Sequence, residues 1–334
     1  MNATTTNGIG YPLATYRYVR LLLIAIVAGL LASVVLTAAP RNCWQNSISA
    51  FYFTTSHAVF IAALCAAGAC MIAYKGTTRA EDVLLNFSGF LAFVVAFVPT
   101  ASPTNNPKDT AAPVCGLWLP TLDTASAAVS NNIVALLIAT VAGVAVYLFV
   151  ADRAKPAPVS EIPYGGAENG GPVARIAGFV LRAAQVVAPV VVVIALVAGL
   201  VWFAVDRRSF TVNGHGAAAI GLFTGMIAVV ILYACYAAQH FCRCASRGRF
   251  AAFYLAIAVA MTATLIAVTA LHVGLPTWNH WILALETLLI LEFSAFWTVQ
   301  TIDSWNGPYQ PAVTKDSQQA SGNDASASAG TRTD

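Results

Sequence analysis

Long apolar runs dominate this sequence, and the first of them sets the class of fold. Leu21–Ala39 contains 19 residues and no charged side chain. A membrane-spanning helix needs about 20 consecutive apolar residues, whereas the apolar core of a signal peptide has about 7–15. We therefore expect an uncleaved first spanning helix, not a cleaved signal peptide.

The composition of the chain is that of a membrane protein. Of its 334 residues, 58% are hydrophobic and 9% are charged, whereas about 25% are charged in soluble domains. The net charge of +3 is spread over many loops, which excludes a nucleic-acid partner. We expect one all-α transmembrane domain over residues 17–305, with the lipid bilayer as its partner and disordered tails at 1–16 and 306–334.

Eight apolar runs separated by polar loops predict a bundle of eight transmembrane helices. With both termini on one side, thirteen of the 17 Lys and Arg residues fall on that side. Cytoplasmic loops carry an excess of Lys and Arg, so we expect both termini in the cytoplasm. The predicted spans are 21–39, 49–74, 83–98, 125–150, 176–205, 216–239, 250–273 and 278–302.

The stretch Asn46–His57, called here the outer segment after its predicted side, is too polar for a lipid-facing helix. Lipid offers no hydrogen bonds, so such a block must face protein, water or a ligand. Helical spacing predicts that Ser49, Tyr52 and Ser56 share one face, flanked by His57. Polar residues of the other spans also concentrate toward the outer side, and the inner half is predicted to be poor in them.

Two carboxylates, Glu286 and Glu292, lie well inside the eighth span. A charged carboxylate at mid-helix costs about 2.5–3.5 kcal/mol on insertion scales, so each should be protonated or paired with another helix. A functional role is one reading, and a hydrogen bond that fixes helix packing is the other. We expect Glu286 to meet the outer segment. The predicted cavity residues are Ser49, Tyr52, Ser56, His57, Asn132, His272, His280, Glu286 and Glu292.

Histidines and cysteines leave two further possibilities open. His57, His272 and His280, with a carboxylate, could hold a zinc ion and its activated water. No HExxH or HxxxH spacing is present, and the alternative is that these histidines cap helix ends. Cys43 and Cys115 fall in two loops on the predicted outer side, where an oxidising environment would allow a disulfide between them.

Three motifs carry a resemblance to known proteins. Asn46–Thr54 (NSISAFYFT), then 74–76 (YKG), then 98–100 (VPT) resemble a pattern of bacterial polytopic inner-membrane proteins without an assigned activity. The ending from Glu292 to Trp305 is similar too. The resemblance implies a multi-pass protein of the bacterial cytoplasmic (inner) membrane and no particular reaction.

A fainter resemblance is to the CREST superfamily of membrane hydrolases and receptors. That resemblance implies a zinc ion held by Ser, Asp and His side chains at helix ends. Ser49, His57, His272 and His280 would fill such positions here. The chain departs from the superfamily because its last helix lacks a paired HxxxH.

Three functions are compatible with these features. The preferred one is binding or transport of a lipid headgroup or a small molecule in a polar cavity open to the outer side. The second is a metal-dependent membrane hydrolase of lipid amides or esters. The third is a structural or regulatory membrane subunit without a small-molecule site. Nucleotide-binding loops and the GxSxG motif of many serine hydrolases are absent.

Overall fold

The computed structural model describes residues 10–100, 121–154, 172–240, 248–275, 277–303 and 305. Over these residues every regular element is a helix. Two short 3-10 helices, Ala39–Arg41 and Ser49–Phe53, lie between the first two α-helices. The α-helices are α1 (Gly10–Ala38), α2 (His57–Ala73), α3 (Arg79–Phe97), α4 (Leu122–Ala154), α5 (Pro172–Val205), α6 (Arg207–His240), α7 (Gly248–Gly274) and α8 (Trp281–Asp303).

Seven of the described helices, α1 and α3 to α8, are long and apolar enough to cross a membrane. The remaining helix, α2, is apolar but has 17 residues, at the short end of the range of about 17–25 for a spanning helix. The architecture is therefore that of a multi-pass helical membrane protein.

The predicted second span is not one continuous α-helix, so this prediction was wrong. A 3-10 helix over Ser49–Phe53 precedes α2, and the two are separated by a break. The Thr54 hydroxyl donates to the carbonyl oxygen of Phe51 (2.8 Å) and accepts from the N–H of Ser56 (3.2 Å). Such side-chain bonds compete with helical backbone bonds. Of the three side chains predicted to share one helical face, Ser49 and Tyr52 therefore lie on the 3-10 helix, and Ser56 lies in the turn before α2.

Other element boundaries also differ from those predicted. Helix α1 begins at Gly10, before the expected start of the membrane domain. Helix α6 begins at Arg207, so Asp206 alone separates it from α5. Residues 1–9 and 306–334, which belong to the predicted tails, lie outside the described residues.

Six helices form a closed ring. Helix α1 packs between α2 and α8, α2 packs on α3, α3 on α6, and α6 on both α7 and α8. Helices α2 and α3 approach closely at Gly68 and Gly89, where a Cβ atom on either would lie 2.6 Å from the carbonyl oxygen of the other. Small residues at such crossings let membrane helices approach closely.

Helices α4 and α5 lie outside this ring. Helix α5 packs on α6 and α3, whereas α4 touches them over a short stretch. The most apolar windows of α4 and α5 are 6% and 17% buried, respectively. Most of their surface is thus left for lipid, and the sites described below are built by the ring.

Candidate functional site

Glu286, in the second turn of α8, caps the 3-10 helix of the outer segment. Its carboxylate accepts the N–H groups of Ile48 (2.6 Å) and Ser49 (3.4 Å) and the hydroxyl of Ser49 (3.1 Å). In return, the carbonyl oxygen of Asn46 accepts the N–H of Leu283, in the first turn of α8 (2.8 Å). The first N–H groups of a helix have no partner within it. The outer segment and α8 therefore each supply an acceptor for N–H groups at the start of the other.

The predicted contact between Glu286 and the outer segment is thus present in the structure. The carboxylate is buried, with 8% of the residue exposed, and its hydrogen bonds go to the backbone and side chain of the segment that it caps. Anionic groups are favoured at helix N-termini because the peptide dipoles place partial positive charge there. The geometry is that of a cap, and a role for Glu286 in binding a ligand stays a prediction.

The other end of the outer segment is tied to α1. The Ser56 hydroxyl lies 2.7 Å from the Thr37 hydroxyl and donates to the carbonyl oxygen of Ser33 (3.0 Å). Within the segment, Nδ1 of His57 donates to the carbonyl oxygen of Tyr52 (2.5 Å), and the two rings meet edge to face at 4.4 Å. Ser56 therefore faces α1, whereas Ser49 faces α8.

The three histidines predicted as zinc ligands each contact a different neighbour. His57 bonds to the outer segment, His272 stacks on Trp281 with ring centroids 4.2 Å apart, and His280 lies 3.4 Å from the carbonyl oxygen of Trp44. Among the residues that the structure describes, no group of three His, Cys, Asp or Glu side chains could hold a metal ion. The zinc hypothesis gains no support from this part of the chain.

Glu292 and Asn132 lie away from the outer segment. The Glu292 carboxylate accepts the hydroxyl of Thr264 on α7 (2.7 Å), which is the interhelical hydrogen bond considered above as the packing alternative. Asn132 is half-buried on α4 and accepts from the amide of Asn131 (3.3 Å). Neither contact joins these residues to Glu286.

The cysteines that the structure describes divide between a loop and the apolar helices. Cys43 is buried and disulfide-bonded. Its predicted partner, Cys115, lies outside the described residues, so the pairing stays a prediction. Cys65, Cys70 and Cys235 are free thiols within helices, as expected for small residues of apolar runs.

A second polar cluster, called here the inner cluster after its predicted side, lies at the other end of the ring, where few polar groups were expected. Arg20, only 6% exposed, donates to the Tyr74 hydroxyl (2.8 Å) and stacks over its ring. Each of the six ring helices, or the turn directly after it, contributes to this inner cluster. Its members are Arg20, Tyr74, Glu81, Tyr233, Tyr254, Gln300 and Asp303.

Hydrogen bonds between side chains also link members of the inner cluster on α6, α7 and α8. The hydroxyl of Tyr254 donates to Asp303 (2.8 Å), and that of Tyr233 bonds to Gln300. Glu81 accepts the N–H of Thr78 in a capping box that starts α3. Sequence reasoning missed this cluster because most of its members stand singly in apolar runs, where a lone polar residue hardly changes the hydropathy. Arg20, directly before the first apolar run, was the one available signal.

An apolar cavity of about 80 Å³ lies between the outer segment and the inner cluster. On α1 its lining runs from Leu23 to Leu30, and on α8 from Ile290 to Trp297. Residues of α2, α3 and α6 complete the wall, so the cavity occupies the centre of the ring. Its accessible surface is entirely apolar.

Comparison of the chain with protein-family models, with curated proteins and with solved structures finds no match. The resemblances noted from the sequence therefore stay predictions, and the function has to be argued from the geometry above.

Proposed function

We propose that this protein binds a lipid chain or an apolar small molecule inside the membrane, in the cavity at the centre of the ring. The cavity is the observation that carries the proposal. An engineered apolar cavity of about 150 Å³ stays dry and binds benzene. A cavity of about 80 Å³ would hold part of a hydrocarbon chain or a small ring.

The energetics favour an occupied cavity. An unfilled core cavity costs about 24 cal/mol per Å³, which is roughly 2 kcal/mol for a cavity of this size. A hydrocarbon group inside it restores the missing contacts. Glu286 is less suited to hold the ligand, because its oxygens already cap the outer segment.

The proposal includes the topology and location of the chain. Helix α2 together with the preceding 3-10 helix would complete a second crossing, giving eight crossings with both termini in the cytoplasm. The Lys and Arg distribution supports this orientation. The disulfide at Cys43 supports it as well, because disulfides persist on the oxidising side of a membrane. With the resemblance noted from the sequence, the location would be the bacterial cytoplasmic membrane.

Two neighbouring alanines of α2 provide a test. Ala63 is 8% exposed and lines the cavity, whereas Ala62 is exposed on the same helix. We expect wild-type protein, after exchange into a detergent, to retain an apolar molecule that native mass spectrometry detects. Ala63→Leu should lose it because the longer side chain fills the space, and Ala62→Leu should retain it. Equal retention by wild type and Ala63→Leu, or no bound molecule in wild type, would contradict the proposal.

A further inference from the structure

We infer that the inner cluster binds one monovalent alkali-metal cation, Na⁺ or K⁺, at the carboxylate of Glu81, with Asp303 as the second negative charge and hydroxyl oxygens of tyrosines as neutral ligands. An unpartnered carboxylate oxygen, the hydroxyl groups near it and the charge of the cluster carry the inference. It goes beyond the proposed function and does not depend on the central cavity.

Glu81 supplies the first observation. The residue is 2% exposed, and its Oε2 accepts the N–H groups of Thr77 (2.7 Å) and Thr78 (3.2 Å). The Thr77 side chain lies beside the carboxylate, but the buried Oε1 has no hydrogen-bond partner in the part of the chain that the structure describes. Buried polar atoms nearly always have a partner, and the oxygen of an ionised carboxylate can only accept. Oε1 therefore calls for a hydrogen donor or a cation.

The Glu81 carboxylate faces hydroxyl groups of the inner cluster. It interacts electrostatically with the hydroxyls of Tyr74 and Tyr233, which belong to the turn after α2 and to α6. Helix α3, which carries Glu81, packs against both of these helices. The Tyr233 hydroxyl also interacts with the carboxylate of Asp303 at the end of α8. Two carboxylates from different helices thus act on one buried hydroxyl group.

The hydroxyl hydrogens near Glu81 are directed away from it. Tyr254 uses its one hydrogen for the bond to Asp303 (2.8 Å), so in the bond between Tyr254 and Tyr233 the donor is Tyr233. In the bond between Tyr233 and Gln300 the donor is then the amide. A hydroxyl oxygen has two lone pairs, and each of these two oxygens accepts one bond. The network therefore offers a cation oxygen lone pairs and gives Oε1 no hydrogen.

The charges of the inner cluster do not balance. Its two carboxylates, those of Glu81 and Asp303, are accompanied by one guanidinium, that of Arg20, which leaves one negative charge in excess when both carboxylates are ionised. Lys75 is paired with Asp82 instead. A buried charge without compensation is strongly unfavourable. One monovalent cation makes the cluster neutral.

An alkali-metal cation suits this site better than the alternatives. A proton on Oε1 would balance the charge but would itself need an acceptor. A water molecule would give Oε1 a hydrogen but leave the excess charge. A divalent ion would reverse the charge, and Ca²⁺ takes about 6–8 oxygen ligands. Hard cations prefer oxygen ligands, and Na⁺ sites inside membrane proteins use neutral oxygens as well.

The test measures equilibrium binding of ²²Na⁺, and of ⁸⁶Rb⁺ as a substitute for K⁺, to the full-length protein in detergent. Choline chloride keeps the ionic strength constant. We expect wild type to bind one of the two ions saturably, at one ion per chain. The comparison of the two isotopes identifies which ion the site prefers.

Two neighbouring carboxylates provide the matched variants. Loss of a group that only orients a metal ligand costs about 10–100-fold in affinity, so Glu81→Gln, which removes a charged ligand, should weaken binding by at least about tenfold. Glutamine can replace glutamate in a capping box, so the start of α3 is kept. Asp82→Asn removes the same charge one residue further on, at the pair with Lys75, and should leave the affinity within about twofold of wild type.

Asp303→Asn should also weaken binding, because it removes the second negative charge, and it keeps the test decisive if Glu81→Gln does not fold. Binding of neither ion to wild type, the result expected if water or a proton fills the site, would overturn the inference. Equal affinities of wild type, Glu81→Gln and Asp303→Asn would overturn it as well. Neither result bears on the central cavity, which Ala63→Leu tests separately.

Discussion

The outer segment and the inner cluster are both buried polar regions of one bundle, yet they are assembled in opposite ways. The outer segment is a run of consecutive residues, and most of its hydrogen bonds involve the backbone, as between Glu286 and Ile48. The inner cluster gathers single residues from six helices or the turns after them, and several of its bonds join side chains, as between Arg20 and Tyr74. A conspicuous polar run is thus used to cap helix ends, whereas dispersed polar residues bring distant helices together.

The largest expected loss of stability is that of a substitution at the cap of the outer segment. Glu286→Ala leaves the N–H groups of Ile48 and Ser49 buried without their acceptor, and should lower the free energy of unfolding by about 3 kcal/mol. Equilibrium unfolding in mixed detergent micelles measures this change. Glu286→Gln retains one acceptor oxygen and should cost less. If Glu286→Ala cost no more than the glutamine variant, the capping role would be wrong.

A smaller effect is expected for the inner cluster. Arg20→Met keeps the aliphatic stem but removes the hydrogen bond to Tyr74 and the stacking over its ring, at a cost of about 2 kcal/mol. Arg17→Met is the matched control, because Arg17 bonds to the carbonyl of Trp305 at an exposed site. Surface substitutions usually change stability by less than about 0.5 kcal/mol. The same unfolding measurement should show a clearly larger loss of stability for Arg20→Met than for Arg17→Met. Equal losses would argue against a stabilising role of the inner cluster.

The smallest effect tests one bond of the inner cluster. Tyr254→Phe removes the hydroxyl that donates to Asp303 and should cost about 1 kcal/mol. Tyr147→Phe on α4, where the tyrosine is 71% exposed, should leave the unfolding free energy unchanged. A Tyr254→Phe variant as stable as wild type would show that the bond to Asp303 contributes nothing.

The parts of the fold that follow from local composition could be predicted from the sequence. Charge-free runs such as Leu21–Ala39 predict helices. A polar run at the start of one span and a carboxylate inside another predict the contact between Ser49 and Glu286. The start of α2 could not be predicted from hydropathy, because hydroxyl groups such as that of Thr54 compete with backbone hydrogen bonds. Hydropathy averages over a window and does not register this competition.

Most of the candidate site could not be predicted from the sequence, for a different reason. A cavity is the space that packed side chains leave unfilled, so no single run of residues predicts it. Trp297 reads as one more aromatic residue of an apolar helix, and its place in the wall of the cavity becomes visible only when the neighbouring helices are in place. The inner cluster likewise depends on which face each helix turns toward the ring.

The most direct test of where the ligand binds compares one affinity across three forms of the protein. The dissociation constant of benzene would be measured for wild type, Ala63→Leu and Glu286→Gln in the same detergent. A ligand in the central cavity predicts about tenfold weaker binding to Ala63→Leu, since overpacking costs 1–3 kcal/mol, and binding to Glu286→Gln within about twofold of wild type. Weaker binding to Glu286→Gln, with Ala63→Leu unaffected, would place the ligand at the outer segment and contradict the account.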